Sequence, residues 1–288
     1  MTKYNLNSIY AVARTEYIRW LSSPKSILFF VLIVPLRETI ILPILDCANK
    51  MQQPLNILEP CIALANSGLI LLLIPFAYLT LMADFPCMDA NMCFVLSRAG
   101  RCNWILGEIV FQFTSLLTYI SFIIITTLIQ TSHVSYLANA WSLVATDYDS
   151  KYINDGSIGM SSLLPPNLYL QMTPGKAFAL SYLLLGLSLI LWSGLLLWAA
   201  LYGRKLIGYW LIIADIIIGI AFCTIDTPQK WCFPISHSIL WIHYQDYYRA
   251  YAFSPSNSLL LFGVLIVTIY VSILKKATSV HLDILSQN

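Results

Sequence analysis

Four ionisable residues stand inside or at the edge of long apolar runs: Arg37, Glu38, Glu108 and Asp215. A charge in hydrocarbon is costly, so such residues face protein or a water-filled path. They are where a transport route or a recognition contact between helices would sit. Arg37 and Glu38 are neighbours, and neighbouring helical residues point apart, so each needs its own partner. A contact between helices or between two subunits suits them better than a place in a translocation path. Asp215 is read as a hydrogen-bonded contact between helices. Glu108 falls in the first turns of its run.

Other chemistry has less support. His237, His243 and Asp246 could supply metal ligands, but the two histidines are six positions apart and do not share a helical face. A structural or interfacial role is the better reading. Asp147, Asp149 and Asp155 could bind a cation, although a solvated loop explains them as well. The seven cysteines include no CxxC pair, so a metal ribbon or dithiol site is unsupported. Cys47 with Cys61, and Cys223 with Cys232, lie near outer loops, where a disulfide is open but not established. No HExxH, GxSxG or phosphate-cradling G-x-x-x-x-G-K-[ST] occurs. No catalytic residue and no metal site are therefore assigned, and any use of ATP must come from another chain.

The strongest constellation is the polar stretch 84–108, DFPCMDANMCFVLSRAGRCNWILGE, between two apolar runs. Asp84-Phe85-Pro86 stops the preceding helix, because proline lacks a donor and pushes its predecessor out of helical geometry. Residues 89–101 then read as a short helix with Asp89 near its start and Phe94 among its apolar contacts. Arg98 and Arg101 favour its C-terminal end, where Gly100 supplies a left-handed cap. Such a helix can dock a partner through Asp84, Asp89, Phe94, Arg98, Gly100 and Arg101. The plainer reading is a basic loop at the inner membrane face.

What positions these residues is a membrane scaffold. The chain is 58% hydrophobic and 10% charged, against roughly 45–50% and 25% in soluble domains. The predicted fold is all-α, a single polytopic domain over 1–288 with spans at about 26–45, 62–82, 104–129, 176–200, 206–223 and 257–274. Residues 7–22 read as an amphipathic helix at the membrane surface, broken from the first span at Ser22-Ser23-Pro24. The aromatic region 224–256 has no run long enough to span and reads as outer, partly re-entrant structure. With both termini inside, ten Lys and Arg fall on the cytoplasmic side, five fall outside, and Arg37 lies within a span. The net charge of +2 is too small and too dispersed for nucleic acid.

On these features the chain resembles a permease subunit of the ABC-2 type exporters, particularly those of Gram-positive bacteria. The likeness rests on the 7–22 helix, the six spans and the DFP…D…SRAGRCNWILGE segment. Thr173-Pro174, the Gly203-Arg204-Lys205 turn and Pro234-Ile235-Ser236-His237 add to it. The resemblance implies an elbow helix at 7–22 and a cytoplasmic coupling segment at 84–103, its helix 89–101 set into a separate ATP-binding subunit. It further implies an acidic residue at Glu108, a cap over the pathway at 224–256, and an assembly of two permeases, alike or different, with two ATPase chains. ATP and Mg would be bound by the partner, and this chain would bind no cofactor. Arg37-Glu38 departs from the family's pattern.

The expected function is export across the cell membrane of an amphipathic or hydrophobic cargo, such as a peptide, drug or lipid. A membrane sensor or immunity protein that binds a ligand without transport is the alternative. A membrane-embedded enzyme is a third, and would need acids or histidines clustered in the spans.

Overall fold

A computed structural model describes residues 4–68, 70–87, 92–152, 159–245 and 251–277, with the side chains of 92 and 93 excepted. Helix α1 (Leu6–Ser22) opens at Asn5, whose side chain accepts from the Asn7 N–H. A second capping contact ties this end down: the Asn5 N–H donates to Asn103 Oδ1 at 3.2 Å. The helix ends at Ser23, ahead of Pro24.

The first long apolar helix, α2 (Pro24–Met51), is not regular. Over Arg37–Ile41 it widens to a π turn, and the Leu42 N–H reaches back to Arg37 O. Pro35 and Pro43 flank this stretch and each remove a helical donor, which favours the irregularity there. Where one span was expected over 62–82, two short helices stand: α3 (Leu58–Asn66) and α4 (Ile70–Leu81), bent by 80°. The break falls at Asn66-Ser67-Gly68. At 12 residues, α4 is about 18 Å long and shorter than the hydrocarbon core.

Next come α5 (Met92–Ala99) and α6 (Arg101–Thr131). Two-residue strands β1 (Leu55–Asn56) and β2 (Ser135–Tyr136) pair in parallel beyond the ends of α2 and α6. Then follow α7 (Leu143–Lys151), α8 (Pro174–Leu201), α9 (Lys205–Ile225), α10 (Pro234–Ser238) and α11 (Pro255–Ala277). Among the described residues five helices are long and apolar enough to cross a membrane, or six if α3 and α4 count as one bent span.

Helix α8 is the hub. Of its most apolar window 72% is buried, against 17–33% for the other four candidate spans. It packs on α11, α9, α3 and α6. Small residues permit this: Ser181, Gly186, Ser188, Ser193 and Gly194 let neighbouring helices come close. The remaining spans turn Phe30, Val34, Leu117, Ile129, Trp210, Leu260 and Val264 outward. That distribution suits a bundle solvated by lipid rather than water.

One end of the bundle gathers the ends of α4, α8 and α11 with the starts of α2 and α9. There Lys25 pairs with Asp84 at 2.7 Å, and the Tyr209 hydroxyl donates to Met82 O at 2.7 Å. Lys276 lies over the Tyr202 ring at 4.9 Å. The turn into α9 is made at Gly203, whose φ of 67° suits a residue without Cβ. The opposite end carries the β pair, α7 and α10.

Candidate functional site

The polar segment between the spans is shorter as a helix than 89–101. Helix α5 stops at Ala99, and Gly100 takes φ 81° and ψ 149°, an extended positive-φ conformation rather than a left-handed helical cap. Arg101 is therefore the first residue of α6 rather than the last of the docking helix. Asp89 lies outside the described residues. Phe94 is 70% exposed, and Arg98 and Arg101 are exposed beside the Gly100 joint. Asp84 belongs elsewhere, in the ion pair with Lys25 at the end of α4.

Among the described residues, hollows flank α1 at this end. One, of about 250 Å³, lies between α1 and α5, lined by Thr15, Glu16, Arg19, Val95 and Arg98 among others. Another, of about 200 Å³, is walled by Glu16, Arg19, Trp20, Asp84, Phe85 and Phe111. Glu16 and Arg19 border both and meet each other at 3.5 Å. Glu16 carries no distinctive sequence signature. Its signal was only an acid among the basic residues of an amphipathic helix.

Helix α1 is bound tightly to α6. At Gly107 an added Cβ would lie 2.7 Å from Val12 Cβ, so glycine is what lets the two backbones touch. Tyr17 and Thr118 hydroxyls meet at 2.9 Å, and the Trp20 indole donates to Leu81 O at 3.1 Å. Beneath this contact Glu108 is fully buried. Among the described residues neither of its oxygens has a hydrogen-bond partner of good geometry, although the Trp104 indole one turn back lies close. Glu16 and Arg19 are within electrostatic reach of it.

The other intramembrane charges separate into two environments. Asp215 bridges helices as expected: the Trp192 indole donates to its Oδ2 at 2.9 Å, joining α8 to α9. Arg37 and Glu38 both lie exposed on the outer surface of α2. Among the described residues no hydrogen bond or ion pair is made by either.

Polar residues missed in the sequence organise the interior. Gln112 Nε2 donates to Ser193 O at 2.9 Å and its Oε1 accepts from the Tyr270 hydroxyl at 2.6 Å, linking α6, α8 and α11. Asn66, at the α3–α4 break, donates to Ser181 Oγ and accepts from the Leu240 N–H, and its carbonyl accepts from the Trp241 indole. The Asn-Ser-Gly tripeptide is a turn signal that could have located it.

The aromatic region folds over this break as short helical turns. His237 and His243 do meet, but through Ser258 rather than a metal, and Asp246 lies outside the described residues. Asp149 accepts from the Met160 and Ser161 N–H groups, which makes it a helix cap; Asp155 lies outside the described residues. Among the described residues no cluster of three His, Cys, Asp or Glu could hold a metal. Among the described residues Cys47, Cys61, Cys223 and Cys232 form no disulfide.

Fold and site together define a multi-pass helical membrane protein. Compared with models of known families, with curated proteins and with solved structures, the chain matches none.

Proposed function

We propose that the chain is the membrane-spanning permease subunit of an ABC-2 type exporter, working in the cell membrane with a separate ATP-binding subunit. The observation that carries this reading is α5. It is a short helix held against α1 and α6, it presents Phe94 and Arg98 to solvent, and it joins α6 through the single residue Gly100. A partner gripping α5 gains a lever on α6, whose 31 residues run about 46 Å to the far end of the bundle. Closure and opening of the partner's ATP sites would shift α6 and α1 together, and the spans would alternate between two states. In this reading α1 is the elbow helix, both termini are cytoplasmic, and ATP and Mg stay on the partner. The cargo is amphipathic or hydrophobic.

A second permease chain completes the assembly, alike or different. Its support is the exposed Arg37-Glu38 pair, set 13 residues into a 28-residue apolar helix. Charges at that depth call for protein or water beside them.

The test is purification of the full chain in lipid nanodiscs with its ATP-binding subunit, followed by measurement of ATP hydrolysis. The subunit should co-purify and hydrolyse ATP. Arg98→Glu with Arg101→Glu should release it while the chain's own melting temperature stays put. A chain that purifies without an ATP-binding subunit, or a double reversal that keeps it bound, sinks the reading.

A further inference from the structure

At the end of the bundle away from Lys25, two imidazoles and one hydroxyl share a buried site. Ser258, on the first turn of α11, is fully buried, as is His243; His237 on α10 is 1% exposed. Ser258 Oγ lies 2.8 Å from His237 Nδ1 and 2.8 Å from His243 Nε2. The other ring nitrogens face backbone carbonyls: His237 Nε2 is 2.9 Å from Trp231 O, and His243 Nδ1 is 2.8 Å from Ile239 O. All four contacts are at hydrogen-bond distance, so each needs a hydrogen.

The hydrogens do not suffice when the groups are neutral. A carbonyl only accepts, so each imidazole must present its one N–H to its carbonyl. Both nitrogens facing Ser258 are then bare acceptors. A hydroxyl has one hydrogen and can donate to only one of them. The fourth contact would set two lone pairs 2.8 Å apart in a buried site.

We propose that His237, Ser258 and His243 form a binding site for one proton, held in addition to those the three side chains carry when neutral. With it, all four contacts close. An imidazolium at His237 donates to Trp231 O and to Ser258 Oγ; the Ser258 O–H donates to His243 Nε2; His243 Nδ1–H donates to Ile239 O. The mirror arrangement puts the charge on His243. The two interconvert when Ser258 Oγ takes a proton from one ring and releases its own to the other. A second extra proton does not fit, because Ser258 would accept twice and leave its own hydrogen without a place.

The surroundings suit one delocalised cation. Trp231 lies 5.3 Å from the His237 ring and 5.1 Å from the His243 ring. Phe253 lies 5.2 Å and 6.3 Å from them, and Phe262 is 6.2 Å from His237. An aromatic ring attracts a cation over its face within about 6 Å, a distance met by Trp231 to both rings and by Phe253 to His237. The opposing influences are burial, the N-terminal dipole of α11 and Lys230. Lys230 is itself paired with Asp226. On α9, Cys223 bonds Ser236 on α10, Asp215 bonds Trp192 and Tyr209 bonds Met82 O. The Tyr244 and Tyr251 rings lie 5.2 Å apart beside the turn, tilted by 46°. Burial is the largest influence and pushes both imidazoles down, His243 to about 4 with its carbonyl contacts, His237 and Lys230 acting as well. His243 taken singly is thus neutral at pH 6, whereas the shared site keeps one proton there.

Nitrogen-15 NMR of ¹⁵N-histidine-labelled full chain in lipid nanodiscs decides this, with His133 and His281 replaced by glutamine to leave two rings. At pH 6 half of the ring signal should be imidazolium, as one charged ring or as a rapidly exchanging pair. Two neutral rings at pH 6 overturn the proposal, and so do two charged ones. Ser258→Ala removes the contested hydrogen bonds and should leave both rings neutral at pH 6; an imidazolium that survives it counts against sharing. If Ser258→Ala does not fold, the spectrum of the Ser258-containing chain is decisive by itself.

Discussion

Glu59 and Ser142, 83 positions apart, are joined twice: the Ser142 N–H donates to Glu59 Oε1 at 2.7 Å and the Ser142 hydroxyl to Oε2 at 2.8 Å. The Asn56 N–H adds a third donor at 3.2 Å. Glu59 is fully buried, and this carboxyl ties α3 to the N-terminus of α7. Replacing it strands three buried donors. Glu59→Ala should lower stability by about 2–4 kcal/mol, since each unsatisfied buried group costs about 1–3 kcal/mol and part relaxes. Thermal melting of the chain in detergent checks it, and Glu59→Gln should lose less.

Gly107 is where α1 touches α6. An added Cβ meets Val12 Cβ and Cγ1 at 2.7 Å and Ile9 O at 3.1 Å, none of which can swing away. Gly107→Leu should therefore cost about 1–3 kcal/mol as overpacking and lift α1 from α6. The expected readouts are a lower melting temperature and faster proteolysis within α1. Pairing Gly107→Ala with Val12→Gly, which removes both Val12 atoms, should recover part of the Gly107→Ala loss, while no recovery would place the strain elsewhere.

Arg37 and Glu38 give a reciprocal test of the subunit contact. If two copies meet there, Arg37→Glu alone and Glu38→Arg alone set like charges together and should weaken association. The double reversal should restore it. Cross-linking in membranes reads the result. Equal dimer content in all four chains excludes α2 as the interface.

Trp192 and Asp215 should couple through their 2.9 Å hydrogen bond. Trp192→Phe keeps the ring but removes the donor, and should cost about 1–3 kcal/mol. Asp215→Leu in the Trp192→Phe background should cost less than in the native chain. Additive losses in this double-mutant cycle would mean no coupling.

The long apolar helices and the polar interruption are legible because they depend on local composition: some twenty apolar residues cannot stay in water, and Pro86 cannot continue a helix. The bend between α3 and α4 was not read, since the apolar run continues through Asn66-Ser67-Gly68 and hydropathy averages over it. Arg37-Glu38 was legible as a conflict, but its exposure was not, because helical phase is lost where the π turn over Arg37–Ile41 widens the helix. Gly100 reads as a left-handed cap in the sequence, whereas its extended ψ places Arg101 at the start of the next helix.

By itself the sequence determined that this is a helical, multi-pass membrane protein. Transfer of apolar surface from water is a property of each segment and needs no knowledge of its neighbours. Only the tertiary structure decided which segment became the hub, that Glu59 reaches Ser142, and that His237 and His243 converge on Ser258. Those contacts join residues far apart in the chain, and hydrogen bonds are short and directional, so nothing in the local order of residues announces them.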